Sequence, residues 1–321
     1  MYQKQSEETV ATNTVTPKPA TLPSVVNGVV VDSAVANRRT VAAMIENSPD
    51  ARPQTGLTNA DVVYEAVTEG GITRFMGIFQ QTYPDKAGPI RSARSYFIDW
   101  LSEYDSFYIH AGGSPTALSR ISEYGIKDYP HNSDSYHREP QAGLASEHTL
   151  YVDVSKVFEY GQSKKGWSNT YDVSPWQFKD PSEVQPESTP PITIDFTSAS
   201  YKVVWSYDSA TKKYYREMAG SAHKDKVTGD SISASTVITM TVPRSSNPPY
   251  SGTGKESEWT METLGTGTAV VFLDGTRIDG TWKKASRTEK TRFYDSAGAE
   301  IRLNRGKIWI EVVPPTGTVS S

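Results

Sequence analysis

The stretch "ADVVYEAVTEGGITRFMGIFQQTY", residues 60–83, holds two apolar runs, Val62 to Val67 and Ile72 to Phe79, on either side of Glu69-Gly70-Gly71. Runs rich in β-branched and aromatic residues, separated by two glycines, predict two strands joined by a tight connection. Upstream, "VVNGVVVDSAV" and "NRRTVAAMIENSPDARPQTGL" are short apolar runs broken by Asn, Gly and Pro, again strands and loops. Downstream, "SARSYFIDWLSEYDS" predicts a helix, with Tyr96, Phe97, Trp100 and Leu101 sharing a face. "SFYIHAGGSPTALSRISEYG" then predicts a strand, a Gly-Gly turn, and a helix capped by Ser114 with Pro115 at its first position.

Proline clusters in "PWQFKDPSEVQPESTPPITIDF", which places a boundary near residues 180 to 191. Beyond it, "TIDFTSASYKVVWSYDSATKKYYREMAG" alternates apolar and polar residues and turns at Asp208-Ser209 as a hairpin does. "STVITMTVP", "GTAVVFLDGTRIDGTWKKAS" and "RFYDSAGAEIRLNRGKIWIEVVP" continue the β pattern, with expected turns at Asp274-Gly275, Asp279-Gly280, Ala297-Gly298 and Arg305-Gly306. The fold class expected is α/β (α+β) in two domains with separate cores. Residues 1–24 form a disordered polar stalk, 25–185 an N-terminal α/β domain with a mixed sheet, and 190–316 a smaller, mostly antiparallel β domain.

Composition narrows the function. The 321 residues carry a formal net charge of −4, so no global basic field exists to hold nucleic acid or an anionic membrane. With no cysteine there are no disulfides, thiolate metal sites or Cys nucleophile. The sequence shows no signal peptide and no run of apolar residues long enough to span a bilayer. The opening "MYQKQSEETVATNTVTPKPATLPS" has the composition of a stalk beside a membrane anchor, or of a frayed terminus.

Two arginines stand out in "GPIRSARSYFIDW". Arg91 and Arg94, three apart at the start of a helix, would point two guanidinium forks to one side, suited to a carboxylate or phosphate. Alternatively each pairs with an internal acid such as Glu65, Glu69 or Asp99. The Gly112-Gly113 junction permits close backbone approach to a ligand beside the start of a helix, flanked by His110 and Ser114. Ser114 is a helix N-cap far more readily than a nucleophile, since no nucleophile-elbow motif is present. Glu65 and Glu69 lie beside apolar strand residues, where acid/base work or a structural salt bridge are both open. His131, His137, His148 and His223 show no compact metal spacing, although "HKD" at 223–225 would offer two weak ligands; no metal is expected. Nucleotide-binding glycine patterns are absent, so no cofactor is expected. Trp282 and Trp309 sit beside lysines and glycines and are read as core rather than as stacking platforms.

Taken together, "MIENSPDARPQTGLTNADVVYEAVTEGGITRF", "GPIRSARSYFIDW", "HAGGSPTAL", "FLDGTRIDGTWKK" and "GAEIRLNRGKIWIEVVP" resemble the YerB-type bacterial lipoproteins, the family of unknown function DUF3048, from about residue 25 to 315. The resemblance implies an α/β N-terminal and a β-rich C-terminal domain, exported and tethered by a lipid or an N-terminal helix. It also marks Glu65, Arg74, Arg91, Arg94, His110, Gly112, Gly113 and Ser114 as the family's polar positions. Where relatives carry an Arg-x-Ala-Pro-His-Asn-x-Tyr-like segment this chain has "SEHTLYV", so His148 matches the family histidine while the Pro and Asn are lost. No reaction, substrate or cofactor comes with the name.

The expectation is therefore an extracytoplasmic protein attached to the bacterial cell membrane, whose N-terminal domain binds an anionic or polyhydroxylated ligand. A cell-envelope glycan or a phosphate-bearing small molecule would sit on Arg74, Arg91, Arg94, His110, Gly112, Gly113, Ser114 and His148. The alternatives are an envelope hydrolase or transferase using Glu65, His110 or His148, and a protein-protein scaffold. The membrane would be a partner only through an anchor outside the given sequence.

Overall fold

The computed structural model describes residues 20–131, 133–183, 189–246 and 258–321. Residues 1–19 of the expected stalk lie outside the described residues. Residues 20–24 belong to the fold instead: Thr21–Pro23 pairs with Val30–Asp32, and Ser24 is buried with its hydroxyl on Gln80 Oε1 at 2.6 Å.

Val62–Val67 and Thr73–Phe79 are the predicted antiparallel pair, with Val67 opposite Thr73. Gly70 and Gly71 take φ of 65° and 73° in the connection, a region glycine enters without the Cβ penalty of other residues. These strands lie inside a ten-stranded mixed sheet. Its order is Arg292–Asp295, Thr276–Lys284, Gly265–Leu273, Thr236–Thr241, Ile308–Val313, Val62–Val67, Thr73–Phe79, Val41–Glu46, Phe107–Ile109 and Lys127–Asp128.

The sheet crosses the proline-rich boundary. Ile308–Val313, near the end of the chain, runs parallel to Val62–Val67 on one side and to Thr236–Thr241 on the other. Each of these strands but the last residue of Thr236–Thr241 is buried. Strands of that kind need cover on both faces as well as partners on both edges, and each half supplies what the other lacks. The two halves consequently do not have the separate cores expected from composition.

Side chains alternate between the faces. Met44, Tyr64, Met76 and Ile310 pack with Tyr96 and Trp100 of the helix Ser95–Leu101, which is buried at every position, and with Ala117 and Ile121 of Pro115–Glu123. On the other face, Ile45, Val63, Phe75 and Trp309 meet Val154 and Val157 of the helix Val154–Ser163 and the smaller sheet of Ile192–Asp195, Lys202–Asp208 and Lys213–Met218. That helix, capped by Asp153 on the Lys156 amide at 3.2 Å, was not anticipated from the sequence. The hairpin predicted at Asp208-Ser209 is present, with Asp208 opposite Lys213. Asp279-Gly280 is not a turn but lies inside Thr276–Lys284, where a Cβ on Gly280 would meet the Tyr294 carbonyl oxygen at 2.0 Å. The glycine there permits close backbone approach rather than a reversal. Trp282 and Trp309 are buried core, as expected. No helix of the described residues is long and apolar enough to cross a membrane.

A polar network is buried between the sheets. Glu65 and Glu311 face each other on neighbouring strands, and Arg216 reaches across from the smaller sheet to bond Glu65 and to approach Glu311 at 3.6 Å. Asn47 and Thr73 donate to Glu65 at 3.2 and 2.6 Å, and Trp205 to Glu311 at 2.8 Å. One guanidinium thus serves two carboxylates. Burial and the facing Glu65 carboxylate push the Glu311 carboxyl well above its ordinary value. Above pH ~4.5, Glu311 in the folded chain therefore keeps a proton that the unfolded chain has lost, and the contribution of this group to stability falls as pH rises. Urea unfolding across pH 5 to 9 should show the wild type losing stability relative to Glu311→Gln as pH rises, whereas Arg216→Met should cost about 3–5 kcal/mol by leaving Glu65 buried without its cation.

Candidate functional site

The parallel strands Val41–Glu46 and Phe107–Ile109 end on the same side of the sheet, where the antiparallel strand Thr73–Phe79 begins. Segment 90–94 lies across these ends. The Arg91 amide donates to the Met44 carbonyl at 2.9 Å, the Ala111 amide to the Arg91 carbonyl at 3.0 Å, and the Ala93 amide to the Gly112 carbonyl at 2.9 Å. The strand ends thereby gather Glu46, Arg74, Arg91, Arg94, His110, Gly112, Gly113 and His148 at the carboxyl ends of parallel strands, a position where open α/β sheets commonly bind ligands.

The arginines are not displayed on a helix. The helix starts only at Ser95, with Arg94 extended at φ −131° and ψ 146°, and the Ser95 amide bonds Glu258 at 2.7 Å. The guanidiniums therefore diverge to different acids. Arg94 grips Glu69 through Nε and Nη2 at 2.6 and 2.7 Å. Burial raises the Glu69 carboxyl, but the bond and charge of Arg94 outweigh it and leave that carboxyl below its ordinary value. Arg91 contacts Glu46 at 3.0 Å and Glu147 at 3.0 Å. Of the internal acids expected, Glu69 is used; Asp99 accepts from Thr263 at 2.6 Å and lies 3.6 Å from Arg120, and Glu65 belongs to Arg216.

Glu46 is the centre of this cluster. Both its oxygens lie 3.0 Å from His148 Nδ1, and the Ser48 hydroxyl donates to it at 2.8 Å. The sequence analysis did not single out Glu46 or Glu147. The signal available was "VAAMIE", a carboxylate ending a wholly apolar run, which at a buried strand end requires a cation.

Arg74 differs from its neighbours. It lies opposite Glu46 and Ala66 in register, hence on their face of the sheet, and is only 8% exposed. Its Nη1 donates to the Ser92 carbonyl at 2.6 Å, its Nε has no hydrogen-bond partner, and it makes no ion pair among the described residues. Burial, followed by the positive charge of Arg94, brings its pKa down to about 10.

The remaining candidates have structural duties. His110 sets Nδ1 on the Gly112 carbonyl at 2.7 Å and Nε2 on Asp128 at 2.9 Å, so both nitrogens face acceptors within the protein. Ser114 is the helix cap, accepting from the Ala117 amide at 3.1 Å. Gly112 takes φ +67°, and Gly113 pairs with Ala93 under Leu118, where a Cβ would be 3.1 Å from Cδ2. Glu65 alternates to the opposite face, fully buried, and does not join the arginines. His223 is held by Arg216 and Gln54 at 2.7 and 2.8 Å, while Asp225 accepts from the Gly56 amide at 2.6 Å, which leaves the "HKD" pair occupied internally.

Removing the two arginines should have unequal effects. Arg94→Ala strands the mostly buried Glu69 carboxylate and should cost about 3 kcal/mol or more. Arg91→Ala leaves Glu46 its bonds to His148 and Ser48 and should cost less, about 1.5–2 kcal/mol for one charged contact. Denaturant midpoints of the two variants measure the difference.

Comparison with known proteins gives a consistent answer. Residues 26–168 match the N-terminal domain, and residues 192–310 the C-terminal domain, of "Protein of unknown function (DUF3048)". The chain is 28% identical over 305 residues to "Putative lipoprotein YerB" of Bacillus subtilis (strain 168), covering 91% of this chain and 86% of that protein. It is similar to the crystal structure of the YerB protein from Bacillus subtilis with a TM-score of 0.79 at 25% identity, covering 92% of this chain and 98% of that one. The ordered strands, the shared central sheet and these matches along nearly the whole chain lead to one conclusion: the protein belongs to the DUF3048 family.

Proposed function

We propose that this is a membrane-attached protein of the bacterial cell envelope whose N-terminal half binds an anionic ligand at the sheet end marked by Arg74, Arg91 and Arg94. Attachment to the envelope is supported by the lipoprotein name of its Bacillus subtilis relative. Arg74 carries the binding proposal. A nine-tenths buried guanidinium that makes no ion pair among the described residues and leaves its Nε unpartnered, beside two further arginines, is placed to receive an anion.

A phosphate or carboxylate at this position would pair with Arg74 directly and accept from the unpartnered Nε. Arg91 and Arg94 are ordered by their own acids and would flank it without having to be fixed anew. His148, bound to Glu46, would set the orientation of that wall. Phosphate-bearing glycans and sugar phosphates of the envelope are the ligand class that this charge and location fit. Of the groups expected for hydrolysis, Glu65 is across the sheet, both nitrogens of His110 are engaged, and His148 is held through Nδ1 on Glu46.

Thermal unfolding in the presence of inorganic phosphate, a sugar phosphate and a peptidoglycan fragment tests the proposal. A ligand at 100 times its Kd should stabilise the native state by about 2.7 kcal/mol. Arg74→Met should remove that gain while keeping the fold, since no ion pair of its own is broken. A melting temperature unmoved by any of these anions, or moved equally in Arg74→Met, would reject it.

A further inference from the structure

A cavity of about 710 Å³ lies away from the arginine cluster, walled by the segment after the helix Ser95–Leu101, by residues around Tyr124 to Lys127, by residues 172–174, and by the loop 285–290 of the C-terminal half. Its size and its position between the two halves are those of a small-molecule site. The walls hold a prepared guanidinium. Arg287 stacks 4.2 Å above the Tyr124 ring centroid and donates through Nη1 to the Ser102 hydroxyl at 2.7 Å. Its backbone is fixed as well: the buried Lys284 ammonium bonds Glu103 at 2.8 Å and the carbonyls of Arg287 and Glu289 at 3.0 and 2.7 Å. Arg287 nevertheless makes no ion pair among the described residues, although the same wall spends Glu103 on Lys284 and Asp105 on Arg39 and Lys127.

Beside it, Lys290 is a second cation that makes no ion pair among the described residues. Its ammonium lies 3.4 Å from the Tyr104 ring centroid and 4.4 Å from that of Trp176, without a hydrogen-bond partner among the described residues. Burial brings its pKa down to about 7. Two exposed wall acids, Asp172 and Glu289, stand against a dianion such as phosphate and suit a ligand carrying both signs of charge.

From this geometry we infer that the cavity is a second binding site, which takes a short peptide by its free carboxylate on Arg287. The stacked fork presents its remaining N–H groups to a planar carboxylate without further ordering. The peptide body occupies the space between Tyr124 and Tyr294. The site is independent of the arginine cluster at the sheet end.

Amide chemical-shift titration of the full chain with tri-alanine and Ala-Lys-Ala, with the same peptides amidated at the C-terminus, and with inorganic phosphate decides the matter. The free peptides should shift the amides of Gly125 and Arg287. Amidation, or Arg287→Gln in the protein, should weaken binding about tenfold or more, the loss of one charge-assisted hydrogen bond. Arg74→Met should leave these shifts unchanged, which separates the outcome from that of the sheet-end site. Arg287→Gln breaks no ion pair but gives up the Tyr124 stack and the Ser102 bond, and should keep the cooperative unfolding of the parent at a slightly lower denaturant midpoint. No shift with either free peptide, equal shifts with the amidated forms, or a response to phosphate alone would each overturn the assignment.

Discussion

The structure depends on a single guanidinium shared by two carboxylates. Arg216 reaches from the smaller sheet to Glu65 and Glu311, which face one another across the join between the N-terminal and C-terminal halves of the large sheet. All three side chains are out of contact with water. Two carboxylates so close in low dielectric cannot both stay ionised at little cost, and a proton held on Glu311 together with the charge on Arg216 balances the site. The network earns little net stability in the sense of apolar packing. What it supplies is register: a one-residue slip of Ile308–Val313 would turn Glu311 to the other face and leave Arg216 unmatched.

That join explains why the two family segments form one body. Val62–Val67 is buried on both faces and so is Ile308–Val313, and each borders the other. Separated, each half would expose a buried strand edge and one side of its core. The smaller sheet and the helix Val154–Ser163 cover one face, and the helices Ser95–Leu101 and Pro115–Glu123 the other. The functional candidates sit where this construction stops, at strand ends where backbone pairing gives way to loops and charged groups reach solvent.

Charge is arranged differently at the two ends of interest. At the sheet end most cations have acids: Arg94 has Glu69, Arg91 has Glu46 and Glu147, and Arg74 alone has none. In the cavity between the halves, Lys284 and Glu103 neutralise one another in the interior and so fix a loop that carries Arg287 outward without an acid. In both places a cation is held in position by its surroundings rather than by its own counter-ion.

The sequence by itself determined the local elements whose signals are contiguous. The Val62–Val67 and Thr73–Phe79 pair follows from two apolar runs about a Gly-Gly connection, and the helix at Pro115 from Ser114 as cap with proline behind it. The Arg94–Glu69 pair was legible as one of two readings. Tertiary structure alone decided that Arg91 serves Glu46, that Glu65 faces away from Arg74, and that Arg216 belongs with Glu65, 151 positions earlier. The physical reason is that propensity and periodicity act over a few residues. Which strand lies beside Val62–Val67, and therefore which charges meet, is set by burying apolar faces brought together from opposite ends of the chain.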